Sequence, residues 1–298
     1  MAAFSINKLV VFGVGLIGGS FALALRQAGA VKRVVGVGRS KKNLDEALQL
    51  GIIDEASSDP ISAVQDADFV FFATPVGQME ALLKAIGPHL SANVVITDGG
   101  STKQDVAAYA RRALGEKFPR FVPGHPIAGT EKSGAIAAEA TLYQGRKVIL
   151  TPELETDPAA IKEVRGAWRI CLADVHLMRP VEHDAVCAAI SHLPHLLAFA
   201  LVDWIANKPN RDVLFQFAAG GFRDFTRIAS SSPEMWRDIC LANRAALLTE
   251  LADFRRELAS LQDCLERADA VQLESLFSRA RDTRDDWLAR TQSATGIE

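Results

Sequence analysis

The sequence lacks several features that would assign it to a specialised class of protein. Its 298 residues carry a formal net charge of −3, so there is no broad basic surface of the kind that recruits nucleic acid or anionic lipid. Its cysteines, Cys171, Cys187, Cys240 and Cys264, are too widely spaced for a zinc site or a thioredoxin-like centre. We therefore expect a reducing compartment, no metal site, no catalytic cysteine, and neither nucleic acid nor a membrane as partner.

No targeting or membrane-spanning segment is apparent. The start, MAAFSINKLVVFGVG, enters a strand directly and lacks the basic segment and the small-residue cleavage site of a signal peptide. The most apolar later stretch, LPHLLAFALVDWIA, is shorter than a membrane span and contains His195 and Asp203. The sequence therefore predicts a cytoplasmic protein in which this stretch is a buried helix.

The pattern of apolar residues changes near Pro180. Before it, short apolar runs alternate with helical patterns, and the runs KLVVFG, RVVGVG, DFVFFATP, NVVITDGG and RKVILTP are predicted to be strands of a mainly parallel sheet. After it, apolar residues recur at three- and four-residue spacing with hardly a strand candidate. We predict an α/β domain over residues 1–178 and an all-α domain over residues 179–298. The apolar stripes of the second domain could pack internally or against another subunit.

A glycine-rich turn follows the first predicted strand. In VVFGVGLIGGSFALALRQAG, three glycines have G-x-G-x-x-G spacing between a strand and a helical pattern. The first permits a tight turn, the second lets the backbone approach a pyrophosphate, and the third lets the helix pack on the strand. This context predicts a Rossmann-type dinucleotide-binding domain, with a purely structural turn as the alternative. The predicted cofactor-binding residues here are Gly13, Gly15, Leu16, Ile17 and Gly18, with Thr74 and Pro75 after DFVFFATP.

The carboxylate that would bind the ribose of NAD is missing. It is expected about twenty residues beyond the glycine turn, at the end of RVVGVG, where the sequence has Gly38. Gly38 leaves room for a 2′-phosphate, to which Arg39, Ser40, Lys41 and Lys42 can donate hydrogen bonds. The stretch therefore favours NADP as cofactor, the alternative being a solvated turn with NAD bound less selectively.

Two segments predicted at the carboxyl edge of the sheet carry candidate catalytic residues. TDGGSTK follows a strand, which places Ser101 where ligands of such folds collect, although Ser101 or Thr102 could simply cap a helix. GHPIAGTEKSG presents His125 in a loop at the same edge. A lone histidine is more often structural, but its position beside Ser101 makes a catalytic role for His125 the stronger interpretation.

The helical region carries two further groups of polar residues. In SHLPHLL, His192 and His195 share a helix face, yet one or both could be core histidines hydrogen-bonded to the backbone. In AGGFRDFTRIASSSPEMW, Arg223 and Arg227 lie four residues apart on one helical face, with Asp224 between them. An exposed ion pair is the alternative interpretation of this second group.

Five motifs of this chain resemble, in order, those of the prephenate and arogenate dehydrogenases of tyrosine biosynthesis, which include the cyclohexadienyl dehydrogenases. They are GVGLIGGS, DGGSTK, GHPIAGTEKSG, SHLPH and GGFRDFTRIASSSPEMW. The resemblance covers nearly the whole chain and implies a nucleotide-binding domain followed by a helical dimerisation domain, hence a homodimer. It implies oxidative decarboxylation of prephenate or arogenate to 4-hydroxyphenylpyruvate or tyrosine, with hydride transfer to NADP or NAD.

The resemblance also implies roles for individual residues. His125 matches the catalytic histidine that hydrogen-bonds the ring hydroxyl of the substrate, and Ser101 matches a serine that assists it. Arg227 matches the arginine that holds the ring carboxylate. His195 matches a histidine near that carboxylate, and His192 supports it. Residues that shape the pocket or hold side-chain contacts are matched by Thr130, Glu131, Gly221, Asp224 and Trp236.

The sequence leaves the substrate and two other functions open. It does not decide between prephenate and arogenate, although Glu131 could favour the ammonium group of arogenate. Another two-domain dehydrogenase, such as a 3-hydroxy acid dehydrogenase or an imine reductase, would usually rely on a lysine in the helical domain, where this chain has the histidine pair and FRDFTRIA. A non-catalytic NADP-binding sensor would not need the acid–base and carboxylate-binding candidates.

Overall fold

A computed structural model describes residues 5–130 and 132–295 of the chain, with side chains to residue 290. The chain divides into two compact units, one ending at Leu247 and one beginning at Leu248. In the described part, the last strand ends at Leu177 and helices follow from Pro180. The domain boundary at residues 178/179 stays a prediction.

A six-stranded parallel sheet forms the centre of the first unit. Its strands are β1 (Ile6–Phe12), β2 (Val31–Val37), β3 (Glu55–Ser57), β4 (Phe69–Phe72), β5 (Val95–Asp98) and β6 (Phe121–Val122). Their order is β3-β2-β1-β4-β5-β6, and every pair is parallel. The connections change direction between β1 and β4, where sheets of this kind open a ligand crevice at their carboxyl ends. The Rossmann-type prediction is confirmed, and four of the five predicted strands lie in this sheet.

A second, three-stranded sheet corrects two of the predictions. It contains β7 (Gly124–Pro126), β8 (Lys147–Leu150) and β9 (Asp174–Leu177), in the order β7-β8-β9. The predicted strand RKVILTP is β8, and its assignment to the main sheet is wrong because its backbone groups pair with β7 and β9. The loop predicted around His125 is also wrong, because His125 lies on β7 opposite Ile149.

Helices cover both faces of the main sheet and continue to the end of the described chain. They are α1 (Leu16–Gln27), α2 (Lys41–Gln49), α3 (Pro60–Val64), α4 (Val76–Ile86), α5 (Gln104–Leu114), α6 (Pro158–Ile170), α7 (Pro180–Cys187), α8 (Leu193–Ala206), α9 (Arg211–Gln216), α10 (Gly220–Thr226), α11 (Pro233–Ala242), α12 (Arg244–Glu266) and α13 (Ala270–Thr295). Alternate strand residues feed two separate cores, with Val11 in one and Val10 and Phe12 in the other. The fold is therefore a layered α/β arrangement followed by helices.

Helix α11 lies close to the nucleotide-binding part of the first unit because it packs on α4. A Cβ atom at Gly77 of α4 would lie 2.5 Å from the Asp238 carboxylate of α11, so a side chain at Gly77 would require Asp238 to move. The contact places Met235 and Ile239 beside the carboxyl ends of the strands.

The apolar stretch after Pro180 is less buried than predicted. Pro180–Ala206 forms one helical run, α7 and α8 joined by a π-helical turn (Ala188–His192). By length and composition this run could cross a membrane, yet such helices also form cores and subunit interfaces. The prediction of a buried helix is wrong for the single chain, because α8 buries few of its side chains and leaves Trp204 59% exposed.

The second unit contains α13 and the part of α12 that follows Leu247. Several of its large apolar side chains are exposed in the single chain, for example Val271 at 80% and Phe277 at 59%. These side chains are the apolar stripes noted in the sequence, and within one chain they are not covered.

Candidate active site

The glycine turn between β1 and α1 has the stereochemistry that a pyrophosphate-binding loop requires. Gly13 has φ +90°, and a Cβ atom there would lie 2.5 Å from the Ala73 carbonyl oxygen. A Cβ atom at Gly18 would lie 2.2 Å from the Gly13 oxygen. At Gly15, by contrast, the nearest atom to an added Cβ is 3.9 Å away. Two glycines are therefore required by the turn, and the third keeps the backbone open to a ligand.

The amino terminus of α1 is available to an anion. The helix begins at Leu16, and its first turn contains no acidic residue and no side-chain cap. Asn43 of α2 fixes the turn from outside, since its Nδ2 donates to the Val14 carbonyl at 2.6 Å and its Oδ1 accepts from the Ala135 N–H at 2.8 Å. These two hydrogen bonds hold the glycine turn in place, so the backbone N–H groups in the first turn of α1 have fixed positions.

A cavity of about 370 Å³ lies at the carboxyl ends of β1, β4 and β5. It is lined by residues 15–17, 73–76, 99–101, 125–126, 128–130 and 132–134, and by Ser231, Ser232, Met235 and Ile239. Its size is in the range of small-molecule sites.

The structure brings many of the predicted site residues to this cavity. The lining includes Gly15, Leu16, Ile17, Thr74, Pro75, Ser101, His125 and Thr130. Glu131 lies outside the described residues. The other predicted substrate-binding residues, His192, His195, Gly221, Asp224, Arg227 and Trp236, are not among those that line it.

His125 is hydrogen-bonded to a second histidine that the sequence did not single out. Its Nδ1 lies 2.8 Å from Nε2 of His183, and Nδ1 of His183 lies 2.8 Å from Oδ1 of Asp184. Burial is the main cause that lowers the pKa of His125 well below its ordinary value of 6.5, and nearby charges on His183, Lys103 and His192 act in the same direction. His125 is therefore a neutral imidazole at pH 7.

Asp184 also caps helix α5. Its Oδ1 accepts from the Lys103 N–H at 2.8 Å, and its Oδ2 accepts from the Gln104 N–H at 2.9 Å. The alternative that Ser101 or Thr102 caps this helix is therefore wrong, because the helix begins at Gln104 and a carboxylate from α7 satisfies its first N–H groups.

A buried ion pair ties the end of β5 to β7. The Nζ of Lys103 contacts the carboxylate of Asp98 and donates to the Gly124 carbonyl at 2.6 Å. Asp98 also accepts from the Gly100 N–H at 2.8 Å and the Gly124 N–H at 3.1 Å. The pair holds the chain beside Ser101 and His125 in fixed positions.

A second cluster of side chains surrounds Trp236 of α11. The His195 ring stacks on Trp236 with centroids 3.7 Å apart, and the His192 ring meets it edge-on at 6.0 Å. Nδ1 of His195 donates to the Ser191 carbonyl at 2.9 Å. Burial chiefly lowers the pKa of His195, and the positive charge of Arg227 lowers it further, so Arg227 belongs to the same neighbourhood.

Asn243 joins this cluster to the chain of groups behind His125. Its Nδ2 donates to the Asp184 carbonyl at 2.7 Å and lies 3.0 Å from Nδ1 of His192. Within the described residues, Nε2 of His192 and Nε1 of Trp236 are buried and have no hydrogen-bond partner. Such groups are positioned to bind a ligand or water.

The residues after β2 lie at its exposed carboxyl end. A Cβ atom at Gly38 would make only ordinary contact with Leu44, at 3.5 Å, so packing does not require glycine there. Ser40 caps α2 by accepting from the Asn43 N–H at 3.3 Å. Arg39 and Lys41 are exposed, and the guanidinium of Arg39 is 3.8 Å from Glu234, a distance that makes a weak ion pair.

The residues that sequence reasoning missed are His183, Asp184, Asn243 and Cys187. The Sγ of Cys187 is 3.5 Å from Nε2 of His183, and burial is the main cause that raises the pKa of this thiol to about 12. The adjacent His–Asp pair in PVEHDAVC was the only signal available, and nothing in the sequence placed it beside a histidine 58 residues earlier.

Comparison with known proteins identifies the family of the chain. The family description "Prephenate dehydrogenase, nucleotide-binding domain" matches residues 21–177, and "Prephenate dehydrogenase, dimerization domain" matches residues 179–279. The chain is 41% identical to the prephenate dehydrogenase of Bacillus subtilis (strain 168) over 290 residues, which cover 97% of this chain and 78% of that protein.

Two solved structures are similar over nearly their whole length. One is prephenate dehydrogenase from Aquifex aeolicus in complex with hydroxyphenyl propionate and NAD+, with TM-score 0.88 and 38% identity over 95% of this chain and 98% of that chain. The other is Synechocystis arogenate dehydrogenase, with TM-score 0.77 and 32% identity over 94% and 99% of the two chains. On this evidence the chain belongs to the prephenate dehydrogenase family.

Proposed function

We propose that this protein oxidatively decarboxylates prephenate, arogenate or both, producing 4-hydroxyphenylpyruvate or tyrosine with transfer of a hydride to NADP. The observation that carries the proposal is a neutral histidine, His125, on a cavity that also contains the glycine turn of a dinucleotide site. Membership of the prephenate dehydrogenase family supports the reaction.

The cofactor-binding residues are the glycine turn and the segments after β4 and β2. The open backbone at Gly15 and the uncapped start of α1 fit a pyrophosphate. Thr74 and Pro75 line the cavity where the nicotinamide end would lie. A bound nicotinamide dinucleotide supplies the hydride acceptor for the reaction.

NADP is preferred over NAD because of the residues after β2. Packing does not require glycine at position 38, so an aspartate or glutamate would fit there. The absence of a carboxylate at this position is therefore a feature of the cofactor site. Arg39 and Lys41 are exposed beside it, and Ser40 lies between them. The similar Aquifex aeolicus structure contains NAD+, so the preference is proposed for this chain from its own residues.

The role of His125 is to accept the proton of the substrate's ring hydroxyl as the hydride leaves the same carbon. Loss of carbon dioxide from the ring then gives a phenolate, and the proton returns from His125 to its oxygen, so the phenol is formed without net proton release. A neutral imidazole is the required starting state, and burial keeps His125 in it. We assign to Ser101, which lines the same cavity, the role of holding the same hydroxyl.

The carboxylate that is lost must be held in one orientation until the carbon–carbon bond breaks. We assign this role to Arg227, with His195 and His192 beside it, because a guanidinium can bind a carboxylate through two parallel hydrogen bonds. The buried Nε1–H of Trp236 adds a donor in the same cluster. Thr130 lines the cavity, and Glu131, Gly221 and Asp224 are assigned to the pocket by resemblance only.

We propose that the protein is a cytoplasmic homodimer. The exposed apolar side chains of α8 and of the second unit, such as Trp204 and Phe277, would be covered by a second subunit. The family description that matches residues 179–279 is that of a dimerization domain. A membrane and nucleic acid are not proposed as partners.

Initial rates test the proposal directly. The purified protein is mixed with prephenate or arogenate and with NADP+ or NAD+, and the reduced cofactor is measured by its absorbance. Reduction that depends on either substrate, and is faster with NADP+, is the expected result. Absence of reduction in all four mixtures would reject the reaction.

A substitution at His125 tests its role within the reaction. His125→Asn removes the proton acceptor and should lower kcat by about a hundredfold or more, with little change in KM. Turnover close to that of the unchanged protein would show that another group accepts the proton.

A further inference from the structure

His183 and Asp184 form a buried chain of hydrogen bonds behind His125. Both residues are almost fully buried, at 0% and 2% exposure. Nδ1 of His125 lies 2.8 Å from Nε2 of His183, and Nδ1 of His183 lies 2.8 Å from Oδ1 of Asp184. The charge of Asp184 determines the direction in which each of these hydrogen bonds is donated.

Asp184 is held as an ionised carboxylate. It accepts the backbone N–H groups of Lys103 and Gln104 at the positive end of α5. Burial by itself raises the pKa of Asp184, but the hydrogen bonds from His183, Gln104 and Lys103 outweigh burial and lower it. An ionised carboxylate only accepts hydrogen bonds, so the nitrogen that faces it must carry a proton.

The directions of the remaining hydrogen bonds follow from this proton. Nδ1 of His183 donates to Asp184. Burial is the main cause that lowers the pKa of His183 below 6.5, so its ring is neutral and Nε2 carries a lone pair. Nδ1 of His125 must then donate to that lone pair. The proton of the neutral His125 ring is thereby placed on Nδ1, and its other nitrogen, Nε2, is left as an acceptor.

We propose that His183 and Asp184 are positioning residues that fix His125 in the tautomer with a proton on Nδ1, so that Nε2 can accept the substrate hydroxyl proton. This inference rests on the proposed function for the meaning of the acceptor, but the tautomer is a property of the protein alone. The carboxylate of Asp184 is held in place by three other hydrogen bonds, one from Lys103 and two from Gln104 at the start of α5. It further stabilises the imidazolium formed when His125 takes the proton.

A hydrogen bond between the two imidazole rings explains this geometry better than a bound metal ion would. His125, His183 and Cys187 have their ligand atoms within 4.8 Å of one another. The two imidazole nitrogens, however, are 2.8 Å apart, which is a hydrogen-bond distance. Two nitrogens bound to a tetrahedral zinc ion lie about 3.3 Å apart. The distance favours a shared proton between the rings.

Nitrogen-15 NMR of the whole protein tests the tautomer without any assay of activity. The chain has six histidines, so the histidine-labelled protein gives few signals, and loss of one set in His125→Asn assigns His125. Spectra are recorded at pH 7 with and without NADP+. We expect a protonated Nδ1 and an unprotonated Nε2 for both His125 and His183. A proton on Nε2 of His125 would overturn the proposal even if the enzyme were active.

Two substitutions of His183 separate positioning from packing. His183→Asn keeps a donor for Asp184 but leaves Nδ1 of His125 without an acceptor, so kcat should fall about tenfold or more with KM nearly unchanged. His183→Gln can place its amide oxygen where Nε2 was, and should restore part of kcat. Equal kcat in the unchanged protein and His183→Asn would overturn the proposal, and so would a His183→Gln variant no better than His183→Asn.

A matched control is present on β9. His176 is hydrogen-bonded to Asp174 at 2.6 Å, but its side chain is 48% exposed and outside the cavity lining. His176→Gln should leave kcat and the His125 signals unchanged. If His183→Asn does not fold, the NMR spectrum of the unchanged protein still decides the proposal. If the protein reduces no cofactor with either substrate but His125 shows the expected tautomer, the proposed function fails and the positioning inference stands.

Discussion

Replacement of Gly38 by aspartate should shift cofactor preference from NADP toward NAD. The position tolerates a side chain: its φ is not positive, and an added Cβ would be 3.5 Å from Leu44, an ordinary contact. The variant should therefore fold with a free energy of unfolding within about 0.5 kcal/mol of the original. Its effect on the cofactor can then be measured without a change in the fold.

The magnitude follows from the charge that is added. Two unit charges about 5 Å apart repel by about 1 kcal/mol in water and about 3 kcal/mol near a protein surface. Because Arg39 and Ser40 are exposed, we expect about 2 kcal/mol of repulsion between Asp and a 2′-phosphate. A hydrogen bond from the ribose hydroxyl of NAD to the new carboxylate adds about 1.5 kcal/mol. The NADP/NAD ratio of kcat/KM should fall on the order of a few hundredfold.

The assay is kcat/KM for each cofactor at saturating substrate and at two salt concentrations. Gly38→Ala is the control, because it adds the Cβ atom without the charge, and it should change the ratio less than about twofold. The difference between the two variants should shrink at high salt, since salt screens exposed charges. An unchanged ratio in Gly38→Asp, or an equal change in Gly38→Ala, would refute the reasoning.

Three further predictions concern the glycine turn, Arg227 and His192. Gly15→Ala should leave the free energy of unfolding nearly unchanged but raise the KM for the cofactor about tenfold. In Gly18→Ala the added Cβ would lie 2.2 Å from a carbonyl oxygen, so urea unfolding should show a loss of about 1–3 kcal/mol in the free energy of unfolding. Equal stability of the two variants would contradict this prediction. Arg227→Ala should raise the KM for the substrate about tenfold to a hundredfold through loss of a charged hydrogen bond, while Arg223→Ala, four residues earlier, should not, and equal effects would remove Arg227 from the site. Burial is the main cause that lowers the pKa of His192 to about 4, so the unfolded chain takes up a proton at this residue before the folded chain does as pH falls below 6.5. The free energy of unfolding should therefore decrease by about 2 kcal/mol from pH 7 to pH 5 through this residue, and a His192→Gln variant with the same pH dependence would contradict the assignment.

Features that depend on neighbouring residues could be predicted from the sequence. The glycine turn needs only its spacing between a strand and a helix, and β1, β2, β4 and β5 were marked by short apolar runs. Ser101 and His125 were placed together because consecutive parallel strands end at one edge of a sheet. Gly38 was informative because the position of the missing carboxylate is fixed by its distance along the chain.

Features that depend on which elements pack together could not be predicted from the sequence. β8 has the composition of a strand of the main sheet, yet its hydrogen bonds go to β7 and β9. The buried-helix prediction for LPHLLAFALVDWIA failed because composition does not tell which chain covers an apolar face.

The sequence by itself determined a dinucleotide-binding turn, the lack of a carboxylate after β2, and the residue types available for acid–base chemistry. Only the tertiary structure placed His183 behind His125 and Asp184 at the start of α5. The physical reason is that a histidine's tautomer depends on the partner of its second nitrogen, and that partner comes from α7, which packs on α5 from a distant part of the chain.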